Sequence, residues 1–537
     1  MQERRKCVAE GTVLETTPKR RKPFWVVSGL WAGGIGLVLI VAVGMVLTIY
    51  LHRAESILRK RVIATLQANY DSRVQLAGFS VSAMHGFQVT GTGLELFPHA
   101  LNSPKPLIRV KKFSFHTSWF DLLRTPMHIN TVSVSGLEMR LPPKEQRSNI
   151  PSLKGNRPGK IQIFVDQIDV DHAALILESK KPGAVPLDFE IINLHITSVG
   201  AGKPMHFHAI LVNPKPVGYI DSTASFGPYN TQSPADTPLN GTYSFKNAKL
   251  ATFSGVGGTL SSTGRYSGTL SHIVVDGETD TPDFSISTGD KPLPLHTTFH
   301  AIVDGANGDT LLQPVNATLV HTNIIARGKV IDVPHNGHLI TLDITVGNGR
   351  IQDMLALAVK GSPIMRGGIQ LHAKLDIPPG KQSVIDKLRL KGAFQIEDAR
   401  FTNPKIQQKI DQVSLRSQGK AEEAKNDTAA TKTPGIGSQI KGNFSLVNEK
   451  VTLPNLRFIV PGANVAMHGS YNLGNDQLDF SGTARLKAKV SDMVTGWKSV
   501  LLIPVNPFFS KNGAGTELPI RITGTRSNPK FQLSVFH

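Results

Sequence analysis

Two histidines, His206 and His208, come nearest in this chain to the spacing that metal chemistry needs. Side chains two apart on a strand leave the same face, so the pair could offer two ligands to one ion. No third ligand is identifiable beside them, and two polar residues on the outer face of a strand is the simpler reading. Asp276, Asp280 and Asp283 supply carboxylates for a calcium ion, but not at EF-hand spacing. Signatures of serine hydrolases, zinc proteases, P-loops and dinucleotide folds are absent. The Gly-x-Gly pairs at Gly91/Gly93, Gly255/Gly257, Gly435/Gly437 and Gly513/Gly515 lack a third glycine and a β-α-β setting, and read as turns. The single cysteine, Cys7, excludes an internal disulfide and a cysteine-based zinc site. The residues therefore assign no catalytic group, no metal and no cofactor, and the chain reads as a non-enzyme.

What must be explained instead is a long chain of plain elements. Charged residues make up 18% of the 537, too few for a disordered polyelectrolyte. Glycine (49) and proline (34) are enriched, as many short strands joined by turns require. With 59 basic against 40 acidic residues the net charge is +19. Such a balance suits anionic lipid or nucleic acid. The basic residues are thinly spread and show no alternation with aromatics, so nucleic acid is not expected.

Residues 23–51 carry no charge. A helix of that length exceeds the hydrocarbon thickness of about 30 Å. Its centre includes Leu37, Val38, Leu39, Ile40 and Val41, and Trp25, Trp31 and Tyr50 sit towards its ends, where amphipathic rings favour the membrane interface. The run is too long for a signal peptide and lacks its cleavage signature, so it reads as a retained anchor. Seven basic residues precede it and four follow, which places the short tail 1–22 in the cytoplasm and the remainder outside. A large exported region without cysteine fits a bacterial envelope.

After the anchor, Leu58, Val62, Leu66 and Tyr70 recur at helical spacing, and this helix reads as a continuation of the anchor that lifts the rest off the surface. The period then becomes two. Val74/Leu76, Val89, Ile163/Val165 and Leu453 belong to long series of alternating strands. A piece from Trp119 to Leu123 reads as a short helix or turn. The expected divisions are a β module over 52–141, a loop at 142–160, a central β-rich region over 161–418, a polar linker at 419–435 and a second β module over 436–537. Asp276-Gly277 and Asp304-Gly305 read as hairpin turns. The fold class is mainly β: one membrane helix, then an elongated, curved antiparallel sheet with few short helices. The apolar face of such a sheet either packs against a second sheet or stays partly open.

Several stretches resemble the AsmA-like family of bacterial envelope proteins, related to the TamB and YhdP group. They are the anchor and following helix, residues 72–81 and 87–96, the short helix leading to 129–141, and the closing segments 460–465, 469–473 and 520–530. The resemblance implies a single-pass inner-membrane protein, its bulk in the periplasm, that serves outer-membrane biogenesis. It implies a β-groove that carries phospholipid, with Val74, Leu76, Val89, Ile163, Val165 and Leu453 as candidate lining, and envelope proteins as further partners. Two rivals stay open: an assembly factor for outer-membrane proteins that carries no lipid, and an envelope hydrolase.

Overall fold

The computed structural model describes residues 59–533 except 61, 65, 68–70, 83–86, 102, 123–126, 144–145, 147–162, 179–185, 201, 231–232, 306–307, 334–336, 427–434 and 489–515. The expected anchor, with Trp25, Trp31, Leu37, Val38, Leu39, Ile40, Val41 and Tyr50, lies outside the described residues. Among the described residues no helix is long and apolar enough to cross a membrane.

The chain is mainly β, as its alternation requires, and its 24 strands belong to one curved, open sheet. The first four, β1 (Ser72–Ser82), β2 (Phe87–Pro98), β3 (Ile108–Thr117) and β4 (Met127–Leu141), form an antiparallel meander. The next strand, β5 (Ile163–Leu177), pairs with β4 in parallel, a departure from the all-antiparallel expectation. Parallel neighbours need a long crossover, and the Pro- and Lys-rich stretch read as a loop at 142–160 separates these two.

The meander then resumes through β6 (Leu187–Gly200), β7 (Met205–Pro214), β8 (Val217–Phe226) and β9 (Pro238–Lys249). A two-residue strand, β10 (Val256–Gly257), caps the end of β12, and β9 passes directly to β11 (Thr259–Thr269) and β12 (His272–Ile286). Next come β13 (Leu293–Val303), β14 (Thr310–Leu319), β15 (Thr322–Val333), β16 (Gly337–Arg350), β17 (Met365–Ile377) and β18 (Arg389–Phe401). The last six are β19 (Ser438–Val447), β20 (Lys450–Val460), β21 (Ala463–Asn472), β22 (Gln477–Leu486), β23 (Thr516–Thr525) and β24 (Pro529–Leu533). The expected linker at 419–435 does not interrupt the sheet: β18 and β19 pair across it, and residues Ala421–Asn426 within it are helical.

Two turns were expected from Asp-Gly pairs. Asp304-Gly305 does lie between β13 and β14, whereas Asp276-Gly277 lies inside β12. There Asp276 stands directly opposite His300 and accepts a hydrogen bond from its Nδ1 at 2.8 Å. A cross-strand partner overrides a local turn preference.

Contacts between distant connectors reveal the curvature. The amide of Val384, between β17 and β18, donates to the carbonyl of Ser254, between β9 and β11, at 2.9 Å. In a flat sheet β11 and β17, six places apart, would stand roughly 29 Å from each other. These two connectors also lie at opposite ends of their strands. Neighbouring strands rotate by roughly 20–25°, so six steps accumulate about 130° and bring opposite ends together. A second tie joins the Gly361 amide to the Asp290 carboxylate at 2.9 Å.

The helical residues 59–60, 62–64 and 66–67 do not stand clear of the sheet. Val62 and Leu66 are fully buried against β1–β4, and the Arg59 guanidinium donates to the Leu76 carbonyl. Among the described residues, the two longest helices were not expected from the sequence. One, Ile351–Ala358, is held by buried Asp353, which accepts from the Thr322 hydroxyl at 2.9 Å and the His321 amide at 3.2 Å. The other, Pro404–Ser417, begins at Asn403, whose side chain accepts from the amides of Lys405 and Ile406, with proline in the first turn.

Candidate functional site

Because side chains alternate along each strand, the sheet has two continuous faces. One face changes character along its length, and three sections can be distinguished.

In the first, over β1–β7, the face is closed. Val74, Leu76, Val89, Phe113, Phe115, Ile129 and Val165 belong to one large core that also takes in Val62 and Leu66. Four of the candidate lining residues, Val74, Leu76, Val89 and Val165, are therefore shut inside packed protein. Ile163 opens β5 opposite Met127, and its side chain lies outside the described residues.

Over β8–β13 hydroxyls enter the same face. Ser222 hydrogen-bonds Tyr266 at 2.9 Å, Tyr243 bonds Ser262 at 3.1 Å, and Thr279 bonds Thr297 at 2.6 Å. Partial burial pushes the phenols of Tyr243 and Tyr266 above their ordinary range.

From β13 to β24 the face is apolar and open. Registers link one row through Ile344, Ala373, Gly392 and Phe444. On the next strands Leu453, Gly469, Phe480 and Ile522 continue it. A parallel row runs Leu342, Leu375, Leu390, Leu446, Val451, Tyr471 and Leu478. Most of these side chains are half-buried, covered by their row neighbours and, among the described residues, by no second layer. Helices Ile351–Ala358 and Pro404–Ser417 cover one rim, where they join small clusters around Ile369 and Val465. Of the candidate lining residues, Leu453 is the one on this open band. At about 4.8 Å per strand, the band extends on the order of 50 Å.

The opposite face is polar and solvated, with His372, Lys374, Lys391, Asn443, Thr452, Arg457 and Asp479 all exposed. The residues first considered for metal chemistry lie on it, and His208, Asp276, Asp280 and Asp283 each have a local partner. His208 donates to Asp221 at 2.8 Å, and Asp280 accepts from His296 at 2.7 Å. Asp283 accepts from the Thr259 amide at 2.7 Å. Among the described residues no group of three or more His, Cys, Asp or Glu side chains could hold a metal ion.

The titration of Asp276 is displaced. The hydrogen bond from His300 is the main cause holding its carboxyl below the usual range, and the charges of His300 and Arg265 add to it. The unfolded carboxyl titrates near about 3.9. A depressed folded value stabilises the protein above that pH, and the contribution disappears as pH falls through the folded value. Melting temperatures of the parent and Asp276→Asn are therefore expected to differ at neutral pH and to converge below about pH 4. A pH-independent gap would rule this coupling out.

No family model, no curated protein and no solved structure matches this chain.

Proposed function

We propose that this chain is an AsmA-like, membrane-anchored envelope protein whose open β-face holds phospholipid by its acyl chains. The supporting observation is the half-buried apolar band over β13–β24, where the described helices cover one rim. Leaving such a surface in water costs roughly 25 cal/mol per Å², and a stretch this long on a solvated protein favours an apolar occupant. Acyl chains lying along the rows would be screened from water while their headgroups stayed wet at the open side. The anchor read from residues 23–51 would keep the open face near a membrane that supplies the lipid.

Extraction of the full chain in mild detergent, followed by mass spectrometry of bound lipid, tests the reading. Several phospholipids per chain, beyond those retained by an unrelated single-pass anchor, are expected. Lipid content no higher than that of the control would defeat the proposal and favour an assembly factor without lipid carriage.

A further inference from the structure

On the polar face, cations generally meet anions in register. Arg109 stands opposite Glu95 and bonds it at 2.8 Å. Arg265 is opposite Asp276 at 3.6 Å, and Arg485 is opposite Glu517 at 3.7 Å. Three facing pairs break the pattern: Arg366 with Arg400 and Lys374 with Lys391 across β17 and β18, and Lys441 on β19 with Arg457 on β20. Like charges facing each other across an antiparallel pair are destabilising. Among the described residues neither Lys441 nor Arg457 forms an ion pair.

These two cations line a depression of about 730 Å³ on the polar face of β16–β20. Thr345, His372, Gln370, Gln395, Asn443 and Asn455 also line it, and no carboxylate does. Its floor includes the small side chain of Ala393. The volume falls within the range of about 300–1,000 Å³ typical of small-molecule sites. Asn455 is partly committed, accepting from the Asn443 amide at 2.9 Å, and Gln395 donates to Glu397 at 2.8 Å. Lys441 and Arg457 are the charged donors of the depression, and among the described residues neither side chain has a hydrogen-bond or ion-pair partner. A facing pair of positive groups in a depression whose lining has no acid attracts an anion that can accept from both, as a phosphate does.

We propose that this depression binds a phosphate-bearing ligand, held between Lys441 and Arg457, with the neighbouring amides contacting the rest of the molecule. The site lies on the face opposite the apolar band, so it stands independently of the lipid-binding reading. Its phosphate could belong to a soluble metabolite or to an exposed lipid headgroup.

Calorimetric titration of the full chain in detergent with glycerol 3-phosphate, and separately with nanodiscs containing phosphatidic acid, distinguishes these sources. Saturable binding of glycerol 3-phosphate identifies a soluble phosphate as sufficient. Binding of phosphatidic-acid nanodiscs alone identifies a headgroup. In either case Lys441→Ser/Arg457→Ser is expected to weaken binding by at least about tenfold. Lys405→Ser/Lys450→Ser, which removes equal charge elsewhere, is expected to leave it unchanged. Removing facing like charges should not lower the melting temperature, and the single variant Arg457→Ser provides a second, milder test. No binding to either probe, or equal binding by the two double variants, overturns the proposal.

Discussion

Leu453→Glu and Leu390→Glu, each made singly, are expected to reduce the phospholipid that co-purifies with the chain by about tenfold or more. Both residues are half-buried on the apolar rows, Leu390 between Leu375 and Leu446 and Leu453 opposite Gly469. A carboxylate there must stay hydrated, and a hydrated charge excludes an acyl chain from the stretch of groove around it. The control lies one residue away. Thr452 is exposed on the polar face, so Thr452→Glu adds the same charge to the same strand without touching the band. Thr452→Glu is expected to retain parental lipid. Because the open rows tolerate water, both Leu→Glu variants should fold. Equal lipid content in Leu453→Glu and Thr452→Glu would show that bound lipid does not use this face.

Phe113→Ala is expected to cause the largest loss of stability, about 3–5 kcal/mol for a fully buried aromatic. Phe113 is 1% exposed and sits at the centre of the core shared by β1–β7. Its ring lies on Gly91 of the neighbouring strand, where an added Cβ would fall 2.1 Å from Cζ. Gly91→Ala should therefore also destabilise, through overlap instead of a cavity, and Phe113→Leu should partly rescue it by withdrawing the ring. A meander touches mainly its own neighbours, so the damage should stay local. Hydrogen exchange is expected to quicken in β1–β5 and to keep parental rates in β19–β23. A uniform loss of protection along the whole sheet would show instead that the closed core and the open band unfold as one unit.

Much of the architecture was legible in the residues. Period-two alternation in Val74/Leu76, Ile163/Val165 and the strands around Leu453 identified a mainly β chain, because the pleat alone dictates that period. The short helix at Trp119–Leu122 and the turn at Asp304-Gly305 were also recognisable. Helix Pro404–Ser417 had an available signal in Asn403-Pro404, a cap followed by an N1 proline, although alternation on both sides obscured it.

Other features had no local signature. Asp276-Gly277 has the sequence of a turn, yet it lies within a strand because His300 is waiting on the next one. Val74, Leu76, Val89 and Val165 have the same alternation as Leu453, but they are sealed in a core while Leu453 lies on an open face. The difference depends on whether a helix or another part of the sheet covers the row, and alternation records only that one face is apolar. The facing of Lys441 and Arg457 depends on register across a hairpin whose pairing shifts between Asn443 and Ser445. The sequence by itself determined the strands and their two faces, since both follow from local geometry. Only the tertiary structure decided which stretch of the apolar face is covered, which stays open and which charges meet, because these depend on register, accumulated twist and contacts between residues far apart in the chain.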